Sequence, residues 1–337
     1  MLSKNKALKV LGLSKSAAHY RRHPRPAVTA PIAHRDRVHP ARLTEQETTT
    51  IVQLLKNSST SIDRTFYSHL DRGRYIASLS TWHRIARAHN ITMAVTGSRR
   101  TKRTPHTGAS DQRRAVTATR PGEVLCWDIS YLPGPDRRTW YALYLVIDLF
   151  SRKIMGFTIQ PGENKHDARD LIASILDATK GATTTVHSDN GAAMTSHLMK
   201  KLLKERAVTL STIRPSVSND NAHMESVFRT IKYGPTWPGI FESITDAEVW
   251  MTTFVTAYNS YPHTRLAGFT PASVYDGTWH DQARTRQATL DASYAHHSER
   301  YRQPPRILTP TATVVLPLGH NDGKTHTPPT LIELVGA

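Results

Sequence analysis

The 337-residue chain has a single cysteine, Cys126. One thiol excludes an intramolecular disulfide and leaves no cysteine set for a structural zinc site. It fits a reducing compartment, and the cytoplasm is the expected setting. Long apolar runs are also missing. No stretch approaches the roughly 18 consecutive apolar residues of a membrane span, so no membrane partner is expected. The basic N-terminus, MLSKNKALKVLGLSKS, lacks the apolar segment and small-residue cleavage site of a secretory signal. There are no internal repeats, and no Ser–His or Cys–His pattern that would mark a protein nucleophile. Acidic residues are scarce, 27 against 44 Lys and Arg, for a formal net charge of +17.

The hydrophobic fraction of 38% supports a real core, and the length suits two or three domains. The excess charge is not spread evenly. Residues 1–43 hold ten basic residues against one acidic, and residues 97–120 hold seven against one. Residues 121–280 are close to neutral, with fifteen against sixteen. A near-neutral body with basic arms suits a polyanionic partner, since the arms attract phosphates. The competing explanation is a solvated basic tail without a specific partner.

Local patterns divide the chain further. Residues 1–43 read as a basic arm with a short helix near LGLSKSAAHYRR. Residues 44–96 read as a small helical domain. Thr44 and Glu47 fit a capping box, a second helix covers Ser61 to Leu70, and Gly73 marks a turn. Ser80 is the expected cap of a third helix, TWHRIARAHN, with Trp82, Ile85 and Ala86 inward and Thr81, His83, Arg84 and Arg87 outward. Three short helices ending in a basic one fit a helix-turn-helix unit, with Arg84 and Arg87 as DNA contacts. An ordinary helical domain fits the same pattern. Residues 97–120 read as a basic linker whose Arg99 and Arg100 lie along phosphates.

From Pro121 strands take over. EVLCWDISYL alternates Val124, Cys126 and Asp128 with Leu125, Trp127 and Ile129. WYALYLVIDLF and RKIMGFTIQ follow after short connections, which favours antiparallel pairing. A helix over Asp167–Lys180, a strand TTTVHSD, a helix over Met194–Arg206 and a strand AVTLSTI complete an alternating unit. The reading is an α/β fold, a mixed five-stranded sheet with flanking helices, over residues 121–280. Another helix is expected over 245–260, capped by Thr245, and a last short one from Pro271. Residues 281–337 read as a C-terminal tail.

Three carboxylates stand out against this frame. Asp128 lies in a strand, where Asp is disfavoured. Asp189 closes a strand in HSDNG. Glu225 lies in a helix and is separated from Asp189 by 35 residues, 190–224. Arg229 and Lys232 follow Glu225 at i+4 and i+7 on one helical face. Oxygen ligands on separate elements suit Mg²⁺, and three carboxylates can hold two ions about one scissile phosphate. Each residue also has a plainer explanation: a buried ion pair for Asp128, a turn for Asp189, a solvated helix position for Glu225. Asp148, in VIDLF, stays open as a further ligand, and Asn219 and Asn221 are placed to cap the helix or position Glu225.

The segments WDISYL, LYLVIDLFSRKIMGF, HSDNG and RPSVSNDNAHMESVFRTIKY, in this order and spacing, resemble the integrase-like catalytic core of bacterial insertion-sequence transposases. The ending NSYPHTRLAGFTPASVY resembles the close of that core. One local departure is His223, where an aromatic residue is frequent. The resemblance implies a ribonuclease-H-like fold preceded by a helix-turn-helix-like domain. It implies an Asp–Asp–Glu site of Asp128, Asp189 and Glu225, serving both as catalytic residues and as ligands of two Mg²⁺ or Mn²⁺ ions. It implies hydrolysis at the ends of a mobile element to free a 3′-OH, then transesterification into target DNA, with Lys232 and Arg229 on the DNA. A homo-oligomer on DNA, an upstream helix-turn-helix partner protein or frameshifted fusion, and a nucleoid-associated place in the bacterial cytoplasm follow from the same resemblance. The rival readings are a nuclease of this fold that cuts without joining, and a DNA-binding regulator with an inactive core.

Overall fold

The computed structural model describes residues 7–8, 10–24, 39, 41–91, 114–212 and 221–318. Residues up to Arg42 form a unit of their own. Among its described residues, helix α1 (Lys15–Arg22) is capped by the Ser14 side chain and buries no residue. No described helix is long and apolar enough to cross a membrane.

Three helices follow, α2 (Glu45–Lys56), α3 (Ile62–Asp71) and α4 (Leu79–Ala88). The capping box is present: Thr44 Oγ1 accepts from Glu47 N while Glu47 reaches back to Thr44 N. Ser61 caps α3. The expected cap at Ser80 is corrected to Ser78, which accepts from Thr81 N. Starting two residues earlier brings Leu79 against the local core of Ile51, Leu55, Phe66, Trp82 and Ile85. The connection between α3 and α4 covers residues 72–78, longer than the three or four residues of a tight helix-turn-helix turn.

The sheet is built from β2 (Val124–Pro133), β3 (Trp140–Asp148), β4 (Ile154–Gln160), β5 (Thr185–Ser188) and β6 (Thr209–Thr212), numbered after β1 (Arg114–Ala118). Its order is β4-β3-β2-β5-β6. β2, β3 and β4 pair antiparallel, as their short connections require, and β5 and β6 join β2 in parallel. This is the mixed five-stranded sheet expected from the sequence. Helices α5 (Lys165–Ala178) and α6 (His197–Glu205) cover one face through Ile172, Leu176, Met199 and Leu203, against Leu125, Trp127, Tyr144 and Val146. Helices α7 (Ala222–Lys232) and α8 (Ile244–Ser260) cover the other through Met224, Phe228, Ile231 and Met251, against Val124, Cys126, Leu143 and Leu145. With both faces covered, β3 is buried from Tyr141 to Asp148.

The cap expected at Thr245 is corrected to Ser243, which accepts from Asp246 N. Both residues stand three before an acidic one, Asp246 or Glu248, and the earlier start packs Ile244 against the core. Thr270 caps α9 (Pro271–Asp276), with Pro271 in its first turn. Two regions differ from their sequence reading. The basic linker 97–120 ends in β1, and the C-terminal tail contains α10 (Trp279–His296) and β7 (Val314–Leu318). β7 pairs antiparallel with β1. α10 sends Leu290 into the core of α2–α4. It also buries Arg286, whose Nε and Nη2 donate to Asp71 of α3 at 2.5 and 3.1 Å and whose Nη2 donates to Gly268 O at 2.7 Å. Arg300 pairs with Glu47 at 2.7 Å. The three helices are therefore fastened to the chain that follows the sheet.

Candidate active site

Strand register brings the first two carboxylates together. β2 and β5 run parallel, with Val124 opposite Thr185, Leu125 opposite Val186 and Cys126 opposite His187. Two residues beyond this pair stand Asp128, within β2, and Asp189, just past the end of β5. β5 ends at Ser188, so the strands part there. The chain lays β3 and β4 on one side of β2, then β5 and β6 on the other. A reversal of this kind leaves a crevice at the carboxyl ends of the diverging strands. In it, Ile129 N donates to Asp128 Oδ1 at 2.8 Å.

Side-chain alternation selects the face. Val124 and Cys126 belong to the core under α7, so Asp128, of the same parity, faces α7 as well. On that helix Met224, Val227, Phe228 and Ile231 are buried, Glu225 and Arg229 are exposed, and Lys232 is half-buried. Asn221 stands at the N-cap but makes no capping bond. Its Nδ2 instead donates to Trp127 O at 3.4 Å, which ties the start of α7 to β2 beside Asp128. Its buried Oδ1 has no partner. Asn219 lies outside the described residues.

The Asp128 carboxyl is pushed up to about 7. Burial is the main cause, opposed by the Ile129 bond and reinforced by the negative charges of Asp189, Glu225 and Glu163. Glu163, which precedes α5 and accepts a 2.5 Å bond from Tyr131 Oη, was not singled out from sequence. Nothing in its loop, PGEN, distinguishes it from a solvated glutamate. Asp189 does make the turn that its neighbours favour, accepting from Gly191 N through Oδ1 at 2.8 Å. A Cβ on Gly191 would meet that oxygen and Met194 Sδ at 3.0 Å. The turn thus fixes Asp189 without consuming its second oxygen.

Asp148 has a different task. It is fully buried and accepts from Gly122 N and Ser151 N at 2.8 Å and from Ser151 Oγ at 2.5 Å. Its carboxylate holds the β3–β4 turn and is not a free ligand.

The carboxylates lie within electrostatic reach of one another. Among the described residues, however, no three His, Cys, Asp or Glu side chains are gathered tightly enough to hold one metal ion. The donor set is nonetheless that of a hard divalent cation: oxygen only, with surplus negative charge that raises one member's pKa. Of the expected DNA contacts, Arg84 and Arg87 are exposed on α4, where His83 Nε2 is held 2.6 Å from Asp63 Oδ1. Burial lowers the pKa of Lys232. Arg99 and Arg100 lie outside the described residues.

The sequence matches the integrase core domain family over residues 118–218, and a second integrase core description over residues 206–271. It is 30% identical over 116 residues to the transposase for insertion sequence element IS904 of Lactococcus lactis subsp. lactis (strain IL1403), covering 34% of this chain and 45% of that protein. It is 27% identical over 175 residues to the putative transposase InsK for insertion sequence element IS150 of Escherichia coli (strain K12), covering 50% and 59%. The chain spans about half the length of these curated relatives. Among solved structures, the HTLV-2 integrase catalytic core domain in complex with magnesium is similar at 16% identity and a TM-score of 0.34, covering 46% of this chain and 97% of that one. A simian T-cell lymphotropic virus intasome chain is similar at 16% identity and a TM-score of 0.40, covering 59% and 67%.

Proposed function

We propose that this chain, which matches integrase core descriptions over residues 118–218 and 206–271 and resembles insertion-sequence transposases, cuts and joins DNA at the ends of a mobile element. The observation that supports this reading is that the negative charges of Asp189 and Glu225 act on the buried Asp128, whose carboxyl is pushed up to about 7.

In this reading Asp128, Asp189 and Glu225 are the catalytic residues and hold one or two Mg²⁺ or Mn²⁺ ions. Bound there, the metal supplies Lewis-acid charge to the attacking and leaving oxygens of a phosphodiester. The chain's own residues do the positioning. Asn221 fixes the start of α7 against β2 and so sets where Glu225 stands. The Gly191 turn orients Asp189. Lys232 and Arg229, on the helix that carries Glu225, bind the backbone of the element end. In the first step water attacks the phosphorus at that end, and the departing oxygen becomes the free 3′-OH. In the second, that hydroxyl attacks a phosphodiester of target DNA and expels another 3′ oxygen. One phosphodiester is exchanged for another, so no energy source is needed.

The rest of the chain serves delivery. The exposed Arg84 and Arg87 of α4, with Arg99, Arg100 and the basic arm, contact flanking DNA. Two element ends must meet, so a homo-oligomer assembles on DNA in the bacterial cytoplasm, at the nucleoid. An upstream helix-turn-helix partner protein or a fused segment would add end recognition. The test is a strand-transfer assay with pre-cleaved element ends in Mg²⁺ or Mn²⁺. Joined product that disappears in Asp189→Asn and Glu225→Gln is the expected result. Cleavage without joining would leave only a nuclease, and activity surviving Asp189→Asn would end the catalytic assignment.

A further inference from the structure

The N-terminal unit contains a turn that a simple basic arm does not need. Residues 7, 8 and 10 are helical, residues 11–14 form a connection, and α1 follows. Gly12 has a φ of +65°, and Leu13 N donates to Leu8 O at 2.9 Å. This bond across a left-handed glycine is a Schellman cap, which ends the first helix sharply and satisfies one of its last carbonyls. Two residues past the glycine, Ser14 opens the next helix, its Oγ accepting from Ala17 N at 3.0 Å. Two helices joined by four residues with a glycine among them match the connection of a helix-turn-helix. The connection 72–78 between α3 and α4 is longer.

Burial and charge follow the same geometry. Within residues 7–24 the half-buried side chains are Ala7, Leu8, Leu13, Ala17 and Ala18, and the other described ones are exposed. α1 buries no residue, and eight residues without tertiary packing make a marginal helix in water. The stretch holds Lys9, Lys15, Arg21 and Arg22 and no acidic residue, so it fits a polyanion better than another protein surface of the same chain.

The placement of the polar residues narrows the partner. By helical period Lys15, Ser16, His19 and Arg22 share one side of α1, away from Ala17 and Ala18. Lys15 stands in the first turn, where the macrodipole favours an acid and the chain has none. A cation there works against the helix's own stability and calls for an external partner. A recognition helix presents its N-terminal residues to base edges, where lysine pairs with guanine O6 and N7 and serine with either donor or acceptor. Eight residues span about 12 Å, close to the width of the major groove.

We propose that residues 7–22 form a sequence-reading DNA module of their own, in addition to α2–α4. α1 enters the major groove, Lys15, Ser16 and His19 face the base edges, and Arg22 holds the backbone. The DNA-cutting reading supplies only the identity of the duplex, an element end. A solvated arm binds by charge alone, whereas this module depends on the conformation of its turn.

The test uses the full-length chain in metal-free buffer. A pool of randomised duplexes is taken through repeated binding and sequencing, and fluorescence anisotropy compares the enriched duplex with a scrambled one. Gly12→Val is the main variant. It alters no charge, and its Cβ would meet no atom within 4 Å, so its effect is confined to the strained turn. Binding to the enriched duplex should weaken about tenfold, with the scrambled duplex bound as before. Lys15→Gln should relax the choice of base at one position of the enriched sequence. Equal losses on both duplexes, no loss in Gly12→Val, or a pool without an enriched sequence makes the segment a basic arm and overturns the proposal. Cutting and joining are measured on the same preparations. Enrichment that depends on Gly12 in a chain that neither cuts nor joins would keep the module and sink the transposase reading. Normal cutting and joining with equal losses on both duplexes would sink the module alone.

Discussion

Replacing Asp128 with asparagine should inactivate the protein and make its metal-free fold more stable. The carboxyl is pushed up to about 7 from an ordinary aspartate's 3.8. At 1.36 kcal/mol per pKa unit, the ceiling on the penalty for ionising it in the fold is about 4 kcal/mol. Asp128 is not fully buried, and water screens part of this, so ~2 kcal/mol is expected, or roughly 4–8 °C in melting temperature for a unit of this size. The sign follows from proton linkage. Between about pH 4 and pH 7 the folded state holds a proton that the unfolded state has released, so this residue lowers stability as pH rises. The gap between Asp128→Asn and the wild type should be small at pH 4.5, grow through neutrality and level off above pH 7. Thermal unfolding in chelator at pH 4.5 and pH 8 measures it. Magnesium at pH 8 should then raise the wild type's melting temperature and leave the variant's unchanged. A variant no more stable than the wild type at pH 8, or a gap independent of pH, would refute the electrostatic account.

Asp148→Asn should behave oppositely to Asp189→Asn. It sets an amide donor against Gly122 N or Ser151, at a cost of about 1–3 kcal/mol in urea unfolding, while strand transfer per folded molecule persists. Arg286→Met should cost about 3–5 kcal/mol in the same assay, because it strands Asp71 and the Gly268 carbonyl. Gly268→Ala should cost about 1–3 kcal/mol or more: φ there is +77° and the new Cβ would lie 2.2 Å from Tyr67 Cε1. Circular dichroism melting would detect it, and a wild-type melting curve would contradict the packing.

What the sequence settled by itself was whatever depends on neighbours along the chain. Alternation in EVLCWDISYL fixed the face of Asp128, short connections fixed the antiparallel meander, and the apolar spacing of Met224, Phe228 and Ile231 fixed which side of α7 looks outward. Cap assignment at Ser78 and Ser243 needed more. Competing hydroxyls two residues away offer the backbone the same bond, and only the packing of Leu79 and Ile244 decides between them. The helix Trp279–His296 escaped because its inward residues include a charge. Arg286 reads as solvent-facing until Asp71, 215 residues away, is placed beside it. Asp148 and Asp189 look alike in sequence, each an aspartate closing a strand. The tertiary structure separated them: three donors surround Asp148, and a gap between parting strands lies beside Asp189. Glu163 had no linear signal. Charge density at a point is a property of distances in space, and only the folded sheet brings Glu163 within electrostatic reach of Asp128.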